Sequence, residues 1–203
     1  MVQQLKTLLE MAGAKPSLPP LDTVAVVLID MQMEYLAGRL PLPGAQPAVL
    51  EAARLLRLAR DAGRPVIHIQ HRGRAGELFD PAGPGFRLAD SVAPAGREPV
   101  LNKGLPNAFT GTELDQVLKG CGASQIVFGG FMTHMCVSST VRAALDRGYS
   151  AVLVASACAT RDLPDGRGGV VSAEVLHQVE LAALADRFAI IAPDAAALAA
   201  ASR

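Results

Sequence analysis

The chain has 203 residues, half of them hydrophobic, with 19 basic residues balanced by 19 acidic ones. This is enough apolar material for a core of ordinary domain size, and the whole chain, 1–203, reads as a single domain. Zero net charge and scattered basic residues exclude the electrostatic footprint of a nucleic-acid binder, so small neutral partners fit better. Cys121, Cys136 and Cys158 are odd in number and lack C-x-x-C spacing, which argues against a disulfide framework or a structural zinc and for a reducing, cytoplasmic setting. The N-terminus MVQQLKTLLEMAGAK mixes apolar residues with lysines and a glutamate, unlike the unbroken apolar stretch of a signal peptide, and no run is long enough to span a membrane.

In chain order, an amphipathic helix is expected to end near Lys15. The β-branched run Thr23–Asp30 reads as a doubly buried strand, hence a parallel sheet. A proline-broken loop from Arg39 to Pro47 leads to a helix from about Ala48 to Ala62 and a second buried strand, Pro65–Gln70. From His71 to Pro99 the chain is rich in Gly, Pro and charge without a period, and connections of that length are commonly functional. A short strand around Val100, a helix Thr112–Gly120, the strand Gln125–Gly130, a helix from Cys136, the strand Ser150–Ala155, a helix Ser172–Arg187 and a strand Phe188–Ala192 follow. The alanine-rich C-terminus reads as a fraying helix. This alternation predicts a three-layer α/β/α domain with a mostly parallel, Rossmann-like sheet.

Ligands of open parallel sheets bind beyond the carboxyl ends of the strands. Three polar residues stand there: Asp30 at the end of the first strand, Lys103 after the third, and Cys136 after the fourth, where a helix start favours a thiolate. Together they supply a base, a cation and a nucleophile. Other readings fail locally. The first strand is followed by Asp30-Met31-Gln32-Met33 rather than G-x-G-x-x-G; Gln32 stands where an aspartyl-phosphate enzyme needs a second acid; no G-x-S-x-G elbow occurs.

VVLIDMQ around Asp30, NKGLPNAFTGTELDQVL around Lys103, GGFMTHMCVSSTVRAALDRGY around Cys136 and ASACATRD after the fifth strand resemble the isochorismatase-like cysteine hydrolase superfamily, over roughly Val24 to Ala192. The resemblance implies that Asp30 is a general base, Lys103 an activating cation that lowers the thiol pKa, and Cys136 a nucleophile forming a thioester. It also implies a cis Phe131–Met132 bond and an oxyanion hole made by the N–H groups of Met132 and Cys136. Isochorismatases proper lack that cysteine, so Cys136 points to amide, imide, ureido or lactam substrates. The Asp-x-His element of metal-binding nicotinamidases is missing, so neither metal nor other cofactor is expected. The family resemblance further implies a homo-oligomer, dimer or tetramer, and Ser156 stands where relatives usually have an aspartate that organises a nearby loop.

Around these motifs Tyr35, Phe109 and Phe131 are candidates for lining the pocket, since aromatics supply much of the area of small-ligand sites. His71, at a strand end, is a candidate for facing substrate. Gln32 and Thr133 read as loop packing, Asn107 and His134 as further flanking positions, His68 as a core residue and His177 as structural. The leading reading is a metal-independent cysteine amidohydrolase. A non-catalytic binding protein on the same fold is the alternative, while a thiol redox protein is disfavoured by the lack of a resolving cysteine.

Overall fold

A computed structural model of the chain describes residues 5–201. Six strands form one parallel sheet: β1 (Val24–Ile29), β2 (Val66–His71), β3 (Val100–Lys103), β4 (Gln125–Phe131), β5 (Ser150–Ala159) and β8 (Ile190–Ala192), in the order β3-β2-β1-β4-β5-β8. A two-residue hairpin, β6 (Leu163–Pro164) with β7 (Val170–Val171), stands apart and has no counterpart in the sequence reading. The helices are α1 (Leu8–Met11), α2 (Ala45–Asp61), α3 (Leu114–Gly120), α4 (Ser138–Asp146), α5 (Ala173–Arg187) and α6 (Ala195–Ala201).

The central strands are apolar on both faces because both are covered. Val24, Val26 and Leu28 of β1 pack with Leu55 and Leu56 of α2 and Leu198 of α6. Ala25, Val27 and Ile29 pack with Leu114 and Leu118 of α3, Val141 of α4 and Leu184 of α5. Period-2 alternation thus assigns each residue to one of two cores, although all six residues of β1 are buried. Because β1 is central and the order runs to β2 and β3 on one side and to β4 and β5 on the other, the carboxyl ends of β1 and β4 flank the topological switch point, where α/β sheets open a crevice.

Several elements differ from the sequence reading. The N-terminal helix has four residues rather than running to Lys15: a Thr7–Glu10 capping box starts it, the left-handed Gly13 (φ 84°) follows its end, and Leu8 and Met11 stay exposed. The part of that helix expected over residues 1–4 lies outside the described residues. Helix α2 starts at Ala45, since Pro47 falls in its first turn, where a missing N–H costs no intrahelical bond. Strand β3 includes Lys103, and β2 includes His71. Strand β5 continues to Ala159 through an irregularity in which Phe128 pairs with Leu153 but Gly130 with Cys158, so two steps along β4 match five along β5. Helix α6 covers Ala195–Ala201 and buries Ala195 and Leu198 in the core that α2 also lines. The 71–99 segment carries two single 3-10 turns, Pro84–Phe86 and Asp90–Val92, and bridges back to Gln32 through Leu88. No helix among the described residues is long and apolar enough to cross a membrane.

Candidate active site

Strand β1 ends in a backbone turn that places Asp30 at φ 53°, a left-handed conformation that Asp tolerates better than most residues and that native folds keep mainly at functional positions. Its neighbour across the switch point is Gly130, at φ 141°, where a Cβ would stand 2.1 Å from the Ile29 carbonyl oxygen. Only glycine lets β4 approach β1 so closely. The Phe131–Met132 peptide that follows is cis. Next comes a π-helical turn, Thr133–Val137, running directly into α4. Cys136 sits inside this turn rather than at the start of an α-helix, with the carbonyl of Met132 accepting the N–H groups of Met135 and Val137. Thr140, one turn on, donates to the Cys136 carbonyl at 2.7 Å and accepts the Ala108 N–H at 3.0 Å, which ties the cysteine's turn to the segment after β3.

From β3, Lys103 reaches inward. Its ammonium lies 2.7 Å from Asp30 Oδ2, 3.2 Å from Cys136 Sγ and 3.1 Å from His71 Nδ1. The Asp30 and Lys103 side chains are both at 0% exposure, so the pair lies outside the screening reach of solvent. The Lys103–Asp30 contact is a buried ion pair; neither carboxylate oxygen has a donor at good angular geometry, yet Lys103, the Cys136 thiol and the His71 backbone N–H stand close enough to pull the carboxyl down against burial. Burial pushes the Asp30 carboxyl above its ordinary range, against the opposing pull of Lys103. The Cys136 thiol is pushed up to about 12, by burial first and by the Asp30 charge second, with Lys103 only partly offsetting them. Burial and the neighbouring carboxylate thus oppose the thiolate that the sequence leads one to expect, and Lys103 offsets them only in part.

Tyr35 and Phe131 meet edge-on at 5.6 Å, and Phe79 from the 71–99 segment packs on Tyr35 at 5.0 Å. Burial and the nearby Asp30 both raise the Tyr35 phenol. Phe79 also stands edge-on to the His71 ring at 5.1 Å. The Phe109 ring departs from its expected role: it stacks on Tyr149 at 6.0 Å beneath the Arg147 guanidinium, so its faces are taken up by packing. Asn107 accepts the Phe109 N–H and serves the turn. Gln32 is fully buried, exchanges two hydrogen bonds with the backbone of His71 (2.8 and 2.9 Å) and donates to the Phe86 carbonyl, which fastens the long segment over the site. Thr133 pairs with His177 at 2.9 Å, and His134 with Thr160 at 2.5 Å. His68 is a core residue with a partner, Glu98, at 2.9 Å. Ser156 is exposed on the β5 irregularity and is held through its N–H on the Pro193 carbonyl.

Two residues escaped the sequence reading. Thr140 was visible in principle, since a threonine four residues after the cysteine on a helix can bond back to its carbonyl. Arg161 gave no signal, because one arginine in a loop reads as a solvated charge. Among the described residues only three buried side-chain polar atoms lack a hydrogen-bond partner: both oxygens of Asp30, and Nε of Arg161. Arg161 follows the end of β5, and its charge pulls the phenol of Tyr35 down, against the nearby Asp30. Its Nη1 donates to the Asp162 carbonyl at 3.5 Å.

Residues 24–195 match the isochorismatase domain, and the chain belongs to that family. An isochorismatase from Pseudomonas putida has a crystal structure that superposes with a TM-score of 0.91 at 42% identity, covering 96% of this chain and 99% of that one. An uncharacterised isochorismatase family protein of Bacillus subtilis is 37% identical over 83% of this chain and 95% of its own length. The streptothricin hydrolase of Streptomyces noursei is 35% identical over 86% of this chain and 69% of its own. A maleamate amidohydrolase of Pseudomonas putida and a ureidoacrylate amidohydrolase of Caulobacter segnis each match at 30% identity. The family is one of hydrolases, and two of these relatives are amidohydrolases.

Proposed function

We propose that this protein is a cysteine-dependent hydrolase that cleaves a C–N bond of a small amide-like molecule through a thioester on Cys136. The observation that carries this reading is the position of the Lys103 ammonium, in contact with both the Asp30 carboxylate and the Cys136 sulfur in a water-excluded site. The buried, poorly satisfied Asp30 is a stronger base than an exposed carboxylate, and the thiol gives up its proton only as its sulfur bonds to the substrate carbonyl carbon. Asp30 takes that proton, and Lys103 balances the charge passing between sulfur and carboxylate. The carbonyl oxygen becomes an oxyanion facing the N–H groups of Met132 and Cys136. As the tetrahedral species collapses the C–N bond breaks, Asp30 protonates the departing nitrogen, and the acyl group stays on sulfur. A water then loses its proton to Asp30 and adds to the thioester; the C–S bond breaks, sulfur recovers the proton, and an acid leaves.

Arg161 narrows the substrate. A partly buried guanidinium with an unpartnered Nε, whose charge is felt at Tyr35, favours an amide that also bears a carboxylate, for which arginine offers a matching fork. This departs from the neutral partner that overall charge favours, because net charge says nothing of one local cation. The names of the maleamate and ureidoacrylate amidohydrolases agree with it. The test is ammonia or amine release from paired amides with and without a carboxylate, with acid-quenched protein digested to find an acyl group on the Cys136 peptide. Acylation at Cys136 and loss of the carboxylate preference in Arg161→Gln are expected. Undiminished turnover by Cys136→Ala would refute the mechanism.

A further inference from the structure

A lysine ammonium carries three N–H donors on a long flexible stem, and one carboxylate does not fix where it points. In this site it meets three acceptors from three elements: Asp30 Oδ2 at 2.7 Å, Cys136 Sγ at 3.2 Å and His71 Nδ1 at 3.1 Å. We propose that His71 is a positioning residue of this site: as its neutral tautomer with the proton on Nε2, it accepts a hydrogen bond from Lys103 through Nδ1 and holds the ammonium between base and thiol. The inference rests on the hydrolase reading for its purpose, but its geometry stands apart from that reading.

Four observations support it. Two donors cannot face each other, so a charged lysine 3.1 Å away requires a bare Nδ1 and leaves the proton on Nε2. Burial, then the Lys103 charge, pushes the imidazole down to about 4, so it is neutral at neutral pH. The register pairs His71 directly with Lys103 on parallel neighbours, which brings the two side chains to one face of the sheet. Finally, the histidine is itself held on two sides, by the paired hydrogen bonds of its backbone with the Gln32 side chain and by the edge of the Phe79 ring.

The consequence concerns the Lys103–Asp30 contact. With Asp30 alone, the ammonium would turn its N–H groups onto the carboxylate in a closed ion pair and leave the sulfur. A third acceptor draws it off that line, in keeping with the unaligned contact to Asp30, so the carboxylate keeps lone pairs for the thiol proton while the positive charge still reaches sulfur. Asp30, His71 and Cys136 present ligand atoms within 4.8 Å of one another, a spacing that elsewhere holds a metal ion, and here the lysine ammonium makes the contacts to all three.

Iodoacetamide alkylation of Cys136, followed by mass spectrometry of its peptide so that exposed Cys121 does not interfere, reads the position of Lys103 without any substrate. His71→Leu removes the acceptor at similar bulk, and His71→Asn returns a carbonyl oxygen near the place of Nδ1. The leucine variant is expected to alkylate roughly tenfold more slowly at neutral pH, with its profile moved up by about one pH unit, and the asparagine variant to recover most of the rate. Equal profiles in all three proteins, or equal slowing in both variants, would overturn the proposal. Nitrogen NMR of the labelled wild-type protein reads the tautomer directly and needs no variant: a bare Nδ1 is expected, and a protonated one is incompatible with the proposal. A protein that hydrolyses no amide yet passes these tests would overturn the hydrolase reading and leave the role of His71 intact.

Discussion

Two ionic clusters lie along the same pair of strands, and they are built to opposite specifications. At the amino end of β3, His68 on β2 meets Glu98, which also takes a bidentate grip from Arg60 on α2 at 2.8 Å to each oxygen and accepts the Ala95 N–H at 2.9 Å. Burial alone would raise the Glu98 carboxyl, but these donors hold it at about 2. At the carboxyl end, on the other face of the sheet, His71 and Lys103 meet Asp30, whose oxygens have no aligned donor and whose carboxyl is raised. The first cluster satisfies every partner and fastens the segment before β3 to α2. The second gives its carboxylate only loosely aligned donors, Lys103 and the Cys136 thiol first among them, and the thiol is the one with a proton to give up.

If that contrast is functional, the two ends must fail differently. The largest effect is expected at Cys136: Cys136→Ala should lower turnover by about 10³-fold or more while the thermal midpoint stays near that of wild type, as for other essential nucleophiles. Cys121→Ala should leave activity unchanged. Next comes Lys103→Met, which strands a buried carboxylate and should both stop turnover and cost about 3–5 kcal/mol of stability by denaturant titration. Adding Asp30→Asn should return most of that stability and none of the activity. If stability and activity returned together, the site's ionic pair would be structural and the contrast would fail.

The legible part of this molecule is the part governed by period and punctuation. Apolar β-branched runs between helical stretches announce a parallel sheet, and polar residues after such runs mark Asp30, Lys103 and Cys136. Side-chain partnership is not periodic, and it accounts for the misses. Phe109 turned to Tyr149 and Arg147 because stacking there was available, which no spacing reveals. The β5 irregularity arises from pairing with β4 across Gly130, a contact distant in sequence. The thiol's elevated pKa required knowing how thoroughly Asp30 and Cys136 are buried together, whereas a helix start alone pointed the other way.

A smaller effect is expected at the satisfied cluster. Glu98→Ala leaves His68 buried without its acceptor and should cost about 2–3 kcal/mol, with kcat and KM unchanged well below the melting temperature. Its pH dependence has a definite sign. The folded protein holds Glu98 near 2, below the ordinary 4.5, so its contribution is full above the ordinary value and is lost as pH falls toward 2. His68, lowered by burial, acts in the same direction from 6.5 downward, since the unfolded chain takes up its proton first. Acid should therefore destabilise wild type, and in Glu98→Ala the slope should be shallower between 4.5 and about 2, where Glu98 titrates. Activity should fail on the acid side for a different reason: protonation of the raised Asp30 removes the base, so the acid limb of kcat/KM should lie above the ordinary carboxylate value of 3.8. A limb at or below that value would mean that Asp30 is not the proton acceptor.

The smallest effect expected is none at all. Prolonged chelation should leave the rate of the native enzyme unchanged, because the place among Asp30, His71 and Cys136 that a cation would fill is held by the Lys103 ammonium, 2.7 to 3.2 Å from all three. Added zinc is then a competitor: a thiol, an imidazole nitrogen and a carboxylate within 4.8 Å form a ligand set it binds well, and to enter it must displace the lysine and take the thiolate. Inhibition by zinc, reversed by chelator and sharply reduced in His71→Leu, is the expected outcome. Activation by zinc, or loss of activity on chelation restored by it, would show that the positive charge this site needs is a metal's, and that the lysine only fills its place when the ion is gone.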